Sequence, residues 1–471
     1  MGADQGSATR PNHSGRRHSG GKDHSDDVAA LVQRYRQLPP GEPVRLRKPT
    51  SNLFRFGSPD ASNGLDVAAF DRVLEVDPSA RTAQVQGMAT YEQVVDAHLR
   101  RGQAPLVVPQ LKTITLGGAV AGLGIESTSF RNGLPHESVR EMEILTGSGE
   151  VVLARPDNEH ADLFRGFPNS YGTLGYALRL EIETEPVEPY VHLRHVRFGS
   201  ADECARAIAE ICRDRSFEGR RVDFVDGTAF DRSELYLTLG SYASEAPEAS
   251  DYTGQQVYYR SLRRRQTDHL RVHDYLWRWD TDWFWCSRAF GVQNPVVRRL
   301  WPRRYRRSDV YRKIVSWDRR YGLTDRISRL RGRGGNEPVI QDVEIPVDRL
   351  PEFLDFFHRE IGISPVWLCP VQLRDPNGWP LYPMDPGTLY VNVGFWSAVE
   401  LRPGESPGRY NRAIEEKVGE LDGHKSLYST SYYDEQEFWR LYNRPAHEAL
   451  KRRYDPDGRL PGLYEKCVGE K

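Results

Sequence analysis

Residues 115–133 read TLGGAVAGLGIESTSFRNG, with five glycines and no charged side chain before Glu126. Glycine loses more conformational freedom on folding than any other residue. A chain concentrates it where φ must be positive or where another group must approach the backbone closely. Three readings compete. A Rossmann dinucleotide fingerprint needs a third glycine, which GLGIES lacks. Gly118 and Gly122, four apart, suggest a membrane dimerisation face, yet ITLGGAVAGLGI is too short to span a bilayer. A packed turn between core elements remains, and the stretch alone does not separate it from a bed for a ligand.

The flanking sequence supplies the frame. Upstream, DVAALVQRYRQL has helical periodicity and is stopped by Pro39 and Pro40, and PVRLRKPTSNLFRFG reads as a strand running into a polar loop. FDRVLEVDPSARTAQVQGMA gives two β-rich runs around the turn DPSA. TYEQVVDAHLRRG is an amphipathic helix with Thr90 as cap and Gly102 at its end. Downstream, VREMEILTGSGEVVLA gives two strands around GSG. NEHADLFRGFPNSYGTLGYALRLEIETEP then gives a helix, a second glycine loop and an alternating strand. Short strands and helices interleaved in this way predict one α+β domain with converging loops over residues 27–188.

The rest of the chain predicts a second α+β domain, residues 189–425, and a C-terminal segment, 426–471. Residues 338–372 read as strand, helix, strand; TLYVNVGFW as a strand; SPGRYNRAIEEKVGEL as a helix. The tail from SLYSTSYY reads as a strand and two helices, with a stop at DPDG. Residues 1–26, polar and rich in Gly, Ser and His, lack an apolar signal-peptide core and read as a disordered tail.

Composition excludes several classes. The chain has 471 residues, enough for two or three domains, and its 65 basic and 66 acidic side chains balance, so no overall nucleic-acid bias exists. Five scattered cysteines without a C-x-x-C pair indicate neither a zinc site nor a disulfide framework; no metal is expected, and a cytoplasmic location is. One segment departs from the average. Residues 261–335 hold 20 Lys and Arg against 7 Asp and Glu, and six of the ten tryptophans. Trp, Tyr and Arg mix in interfacial segments, so peripheral contact with a membrane is the first expectation. Packing against the acidic remainder of the chain is the second.

The succession PLVVPQLKTITLGGAVAGLGIESTSFRNG, VREMEILTGSGEVV and ADLFRGFPNSYGTLGYALRLEIETEP resembles the PCMH-type FAD domain of the vanillyl-alcohol-oxidase superfamily. GIESTS, GTLGYA, SPVWLCP and DEQEFWRLYNRPAHEALKRRYDPDG are, more narrowly, similar to the Delta24-sterol reductase family. The likeness runs from about residue 45 to the C-terminus. It implies a fold of two α+β FAD-binding subdomains followed by an α+β substrate (cap) domain, with C-terminal helices returning to the FAD domain.

The resemblance also implies a cofactor bed. An FAD diphosphate carries two negative charges, and successive backbone N–H groups in a glycine-rich turn make an anion-binding nest. Thr113, Thr115, Leu116, Gly117, Gly118, Gly122, Gly124, Ser127, Arg131 and Gly133 are the candidates along the first glycine stretch. Thr50, Ser51 and Asn52 of KPTSNLFR are placed at the pyrophosphate, and Gly172, Thr173 and Gly175 near the flavin. Neither His nor Cys occurs in residues 45–57 or 113–133, so FAD is expected without a covalent link. NADPH is the implied reductant. The N-terminal membrane helix of the eukaryotic sterol reductases is not read in this sequence, so constitutive membrane residence is not expected.

The implied reaction is reduction of an isolated carbon–carbon double bond in a lipid, a methylene-branched acyl chain or a Delta24-sterol side chain. Protonation of the less substituted carbon leaves a tertiary cation, which takes hydride from N5 of reduced flavin; the step needs a proton donor and a dry pocket. Glu126 is the first candidate acid, with a hydrogen bond to a loop or ribose as its alternative role. Tyr428 and Tyr432 of LYSTSYY are further candidate donors. Arg131 either balances cofactor charge or pairs with Glu137. The rival readings are an alcohol or sugar oxidase of the same fold and a flavin-free lipid-binding protein.

Overall fold

The computed structural model describes residues 23–39, 41–48, 54–55, 64–321 and 335–468. Its first sheet begins with Val73–Asp77 and Thr82–Gln86, antiparallel about a turn in which Asp77 Oδ1 accepts the N–H groups of Ser79 and Ala80. Helix Tyr91–Leu99 follows, closed by a reciprocal capping box between Thr90 and Gln93. It buries Tyr91, Val94, Val95 and His98, one face at helical spacing. Strand Tyr176–Pro186 is the centre of the sheet. Leu178, Leu180, Ile182 and Thr184 are buried, while Arg179, Glu181 and Glu183 alternate to the half-exposed face. It pairs with Thr82–Gln86 on one side and Val139–Leu145 on the other, and Val151–Ala154 extends the sheet beyond.

The chain passes from this strand straight into a second sheet of eight antiparallel strands. Their order is Thr267–Arg271, Tyr190–Phe198, Glu234–Ala243, Phe224–Asp231, Val366–Val371, Tyr390–Glu400, Asn336–Pro346 and His424–Lys425. The period of two decides what each face meets. On Val366–Val371, Val366 and Leu368 join a core with helices Ala201–Asp214, Leu350–Phe356 and Arg409–Glu420. Trp367, Cys369 and Val371 face the other way, into a core shared with Val85, Leu116 and Leu180 of the first unit. The second sheet is thus sandwiched between its own helices and the first unit.

The C-terminal residues close back over the first unit. Phe54 N–H donates to Tyr428 O at 2.8 Å, Val44 N–H to Arg459 O at 2.7 Å, and Ser148 N–H to Tyr454 O at 3.0 Å. Three details depart from the sequence reading. The first helix starts at His24, inside the expected disordered tail, whose residues 1–22 lie outside the described residues. LYSTSYY forms only single bridges, Phe54 to Ser429 and Ser431 to Val468, because its partners are isolated residues of other loops. At DPDG the chain turns instead of stopping. Asp455 accepts the N–H groups of Arg459 and Leu460, and a further helix, Leu463–Cys467, follows.

The basic, tryptophan-rich segment divides. Trp277, Trp279, Trp283 and Trp285 are all buried, so its first half is core, as the packing alternative has it. Residues 295–305, Arg298 apart, stay at the surface. Among the described residues, no helix is long and apolar enough to cross a membrane.

Candidate active site

A cavity of about 800 Å³ opens between the two units, lined by both glycine segments, the C-terminal segment and the second sheet. Helix Leu116–Ala121 forms part of its wall. Thr115 caps it, accepting the N–H of Gly118 at 3.2 Å. Leu116 N–H donates to Ala89 O and Gly117 N–H to Gly87 O, at 2.9 and 2.8 Å. These first-turn N–H groups are consumed within the protein, so the backbone nest expected here is not offered by them. Gly117 is glycine because a Cβ would stand 2.8 Å from Gly87 O. Gly117 still lines the cavity, as do Gly118 and Gly124.

The second glycine loop docks on the end of that helix, with Tyr171 N–H donating to Ala121 O at 2.7 Å. Asn169, Tyr171 and Gly172 all have positive φ, 61°, 51° and 78°. Left-handed backbone at non-glycine residues is a cost that folds retain mainly where a site needs it. Here it turns the Tyr171 ring beneath the Arg55 guanidinium, 4.3 Å from its centroid.

Positive charge gathers at this end of the cavity. Arg45, Lys48, Arg55 and Lys466 line the wall, where Glu465 is the carboxylate nearest in sequence. Lys466 donates to Tyr171 O, and its ammonium is pushed down to about 7, first by desolvation and then by Arg55. Arg55 spends Nε and Nη2 on Leu427 O. Its Nη1, the Tyr171 hydroxyl and the Gln110 side-chain nitrogen are buried without partners among the described residues, and all three residues line the cavity. Unpartnered buried atoms also occur elsewhere in the chain; here they stand beside four cations, a setting that suits an anionic ligand.

Beside these cations part of the wall is aromatic. Trp283, Phe284, Trp367, Trp396 and Phe54 line it, with Phe284 stacked on Trp396 at 4.1 Å between centroids. Set into this apolar wall are Asp342, Asn392 and Tyr428. Asn392 Nδ2 donates to Asp342 Oδ1 at 3.1 Å, and Trp396 Nε1 donates to the Tyr428 hydroxyl at 3.0 Å. Burial pushes the Asp342 carboxyl up to about 6, against the hydrogen bonds of Asn392 and Tyr428. Two residues along the strand, Glu344 is held at about 8 by burial; it accepts from the Tyr382 hydroxyl and, at 3.2 Å, from Ser426 Oγ. Ser426 itself reaches the cavity wall.

The structure brings together eight of the sequence-predicted residues on the wall: Thr113, Thr115, Gly117, Gly118, Gly124, Gly172, Gly175 and Tyr428. Others stand behind it. Leu116 is core, and a Cβ on Gly122 would meet the Tyr171 ring at 2.9 Å. Gly133 has φ 69° and closes a turn on Glu137, while Thr173 hydrogen-bonds Ser170 O and His447. Ser127 meets the Tyr275 hydroxyl, and Tyr432 lies against Arg412 near Gly408. Arg131 pairs with Glu185 through two contacts of 2.7 Å, not with Glu137. Glu126 is buried, 2.9 Å from Arg278, which also holds Asp226 at 2.9 Å. That node ties the glycine segment to the second sheet; Glu126 is not among the residues lining the cavity, though Gly124 and Ile125 beside it are, and its Oε2 is buried without a partner among the described residues. Thr50, Ser51 and Asn52 lie outside the described residues.

Sequence reasoning missed Arg55, Lys466, Asp342, Asn392, Trp283 and Trp396. Asp342 carried a signal, since a carboxylate inside the run PVIQDVEIP is costly to bury without a purpose.

A flavin dinucleotide fits this wall by its chemistry: cations for a diphosphate, side-chain-free glycines for close approach, and aromatic side chains for a ring system. Residues 23–155 match the family described as "FAD binding domain", so the chain carries that domain. The chain is also similar to Delta(24)-sterol reductases. It is 26% identical to that of Arabidopsis thaliana over 444 residues, covering 85% of this chain and 76% of the relative. It is 27% identical to that of Homo sapiens over 412 residues, 84% and 75% respectively. Cytokinin dehydrogenase 4 of Oryza sativa subsp. japonica is 29% identical over 172 residues, 35% of this chain and 32% of the relative.

Proposed function

We propose that this protein is an FAD-dependent oxidoreductase that reduces an isolated carbon–carbon double bond in a lipid, with NADPH as the reductant. The similarity to Delta(24)-sterol reductases over most of the chain supports the reaction class. One observation carries the rest: a carboxyl pushed up to about 6, hydrogen-bonded and set among aromatic side chains in the wall of the same cavity that gathers four cations.

Lys48, Arg55 and Lys466 would hold the diphosphate, and Gly117, Gly118, Gly172 and Gly175 would leave room for the ring system. Bound and reduced, the flavin supplies hydride. Asp342 supplies the proton. A carboxyl near 6 is a far stronger acid than a buried tyrosine and is still partly protonated near neutrality. After donation the carboxylate keeps Asn392 Nδ2–H and the Tyr428 hydroxyl as hydrogen-bond donors, so the negative charge is not left bare. Trp283, Phe284, Trp367 and Trp396 exclude water and present π faces to the developing cation. The proton from Asp342 and a hydride from a bound reduced flavin would add across the double bond, and NADPH would be the source of that hydride.

No His or Cys lines the cavity among the described residues, which supports FAD held without a covalent bond. The long aromatic wall suits a methylene-branched acyl chain or a sterol side chain. Purified protein should be yellow, release its colour on acid precipitation and be bleached by NADPH without oxygen. Lipid alkenes should then restore the colour. Yellow protein indifferent to NADPH but bleached by alcohols or sugars would make it an oxidase instead.

A further inference from the structure

Five large apolar side chains are exposed among the described residues, and four lie within ten positions: Val296 at 68%, Val297 at 38%, Leu300 at 79% and Tyr305 at 43%. Val296, Val297 and Leu300 belong to the short helix Pro295–Leu300, and Tyr305 to the turn after it. These residues are presented on a built platform. Arg298, on the same helix, is buried and ion-paired with Asp282 at 2.7 and 3.1 Å, and it also donates to the carbonyls of Gly254, Tyr252 and Gln256. Arg306 clamps the other end, donating to the carbonyls of Thr253, Gly254, Arg298 and Trp301. Trp301 Nε1 donates to Tyr305 O at 3.2 Å, so helix and turn are held side by side.

Charge surrounds the patch. Residues 283–308 contain seven arginines and no Asp or Glu. Arg299 and Arg304 are exposed, with no carboxylate partner among the described residues; Arg303 is exposed and meets Asp251. Arg304 lies over the Tyr305 ring, 4.8 Å from its centroid.

We propose that residues 295–305 are a docking surface for an anionic lipid bilayer. Val296, Val297 and Leu300 enter the acyl boundary while Arg299, Arg303 and Arg304 meet lipid phosphates. A second copy of the chain is a poor occupant. An isologous contact would bring these arginines against one another, and four side chains fall well short of the ~800 Å² per partner that a stable interface buries. The surface does not depend on the reaction proposed above, though a lipid substrate would gain from it.

The test is cosedimentation of the full-length holoprotein with phosphatidylcholine vesicles, with and without phosphatidylglycerol. Binding should require phosphatidylglycerol and weaken with salt. Arg299→Gln with Arg304→Gln should weaken it about thirtyfold, taking about fivefold per arginine at the surface. Val296→Ser with Leu300→Ser should weaken it at least as much while the circular dichroism spectrum stays unchanged. Absence of binding to the anionic vesicles, or binding unaffected by both double variants, would overturn the proposal. So would a dimer in light scattering that Val296→Ser with Leu300→Ser dissociates, since the face would then belong to a second copy.

Discussion

The cations on the cavity wall predict a flavin affinity whose pH dependence is carried mainly by one residue, with burial lowering the Lys48 ammonium as well. Lys466 has an ammonium pushed down to about 7 by desolvation and by Arg55. A bound diphosphate stabilises the charged form and returns the group toward its ordinary value of 10.5. Below pH 7 the free protein already holds the proton, and affinity is flat. Above pH 7 each binding event takes up a proton, so the dissociation constant rises about tenfold per pH unit, about a hundredfold between pH 7 and pH 9. Lys466→Met should remove a charge-assisted contact, costing about 10- to 100-fold at pH 6.5, and should remove most of the slope. Lys466→Arg should keep the affinity of the flat region and also lose most of the slope, because guanidinium does not titrate there. The assay is titration of apoprotein with FAD, followed by flavin fluorescence at constant ionic strength. A wild-type affinity independent of pH between 7 and 9, or a slope that survives undiminished in Lys466→Met, would refute the placement of the diphosphate.

Other consequences concern packing and the buried charges. Gly117→Ala would place a Cβ 2.8 Å from Gly87 O, a backbone atom that cannot step aside, so both flavin content and melting temperature should fall. Retention of both would show that the helix has slack there. Arg278→Met would leave Glu126 and Asp226 facing each other without their cation. A loss of about 3–5 kcal/mol in unfolding free energy is expected by urea denaturation at pH 8. Burial already raises the Glu126 carboxyl above its ordinary range, so protonation at lower pH relieves the unpaired charge, and the defect should shrink at pH 5. A defect of equal size at both values would mean that lost packing, not charge, dominates. Acid release of all flavin from the protein is a third outcome, checked by the supernatant spectrum.

The sequence made local features legible because their causes are local. The Asp77 turn, the Thr90 capping box and the alternation of Tyr176–Pro186 are each decided within a few residues, and the structure contains all of them. The two glycine segments were legible as a site for the same reason, but their detailed roles were not. Whether Gly117 offers its N–H to a ligand depends on Gly87, thirty positions earlier and brought close only by the sheet. Glu126 reads as the first candidate acid because glycines and apolar residues surround it, and burial does raise its carboxyl. Arg278, 152 positions away, fills the space beside it and takes its charge. Lys466 and Arg55 meet only because the chain turns at Asp455 and returns, and no spacing in the sequence announces that. The tryptophan-rich segment is the clearest case. Both halves mix Arg and Trp, yet the Arg278 ion pairs hold one half inward while Arg298 and Arg306 pin the other half at the surface.

The central claim is that Asp342 delivers the proton in a reaction whose hydride comes from reduced flavin. Its most direct test separates the two halves of turnover in Asp342→Asn by anaerobic stopped-flow absorbance. Reduction by NADPH should proceed at the wild-type rate, because no alkene proton is involved. Reoxidation by a lipid alkene should slow about 10²- to 10⁴-fold, the range of a lost general acid. In the wild type that second rate should fall tenfold per pH unit above about 6, following the protonated fraction of Asp342. Wild-type reoxidation in Asp342→Asn, or a rate flat from pH 6 to 9, would contradict the account.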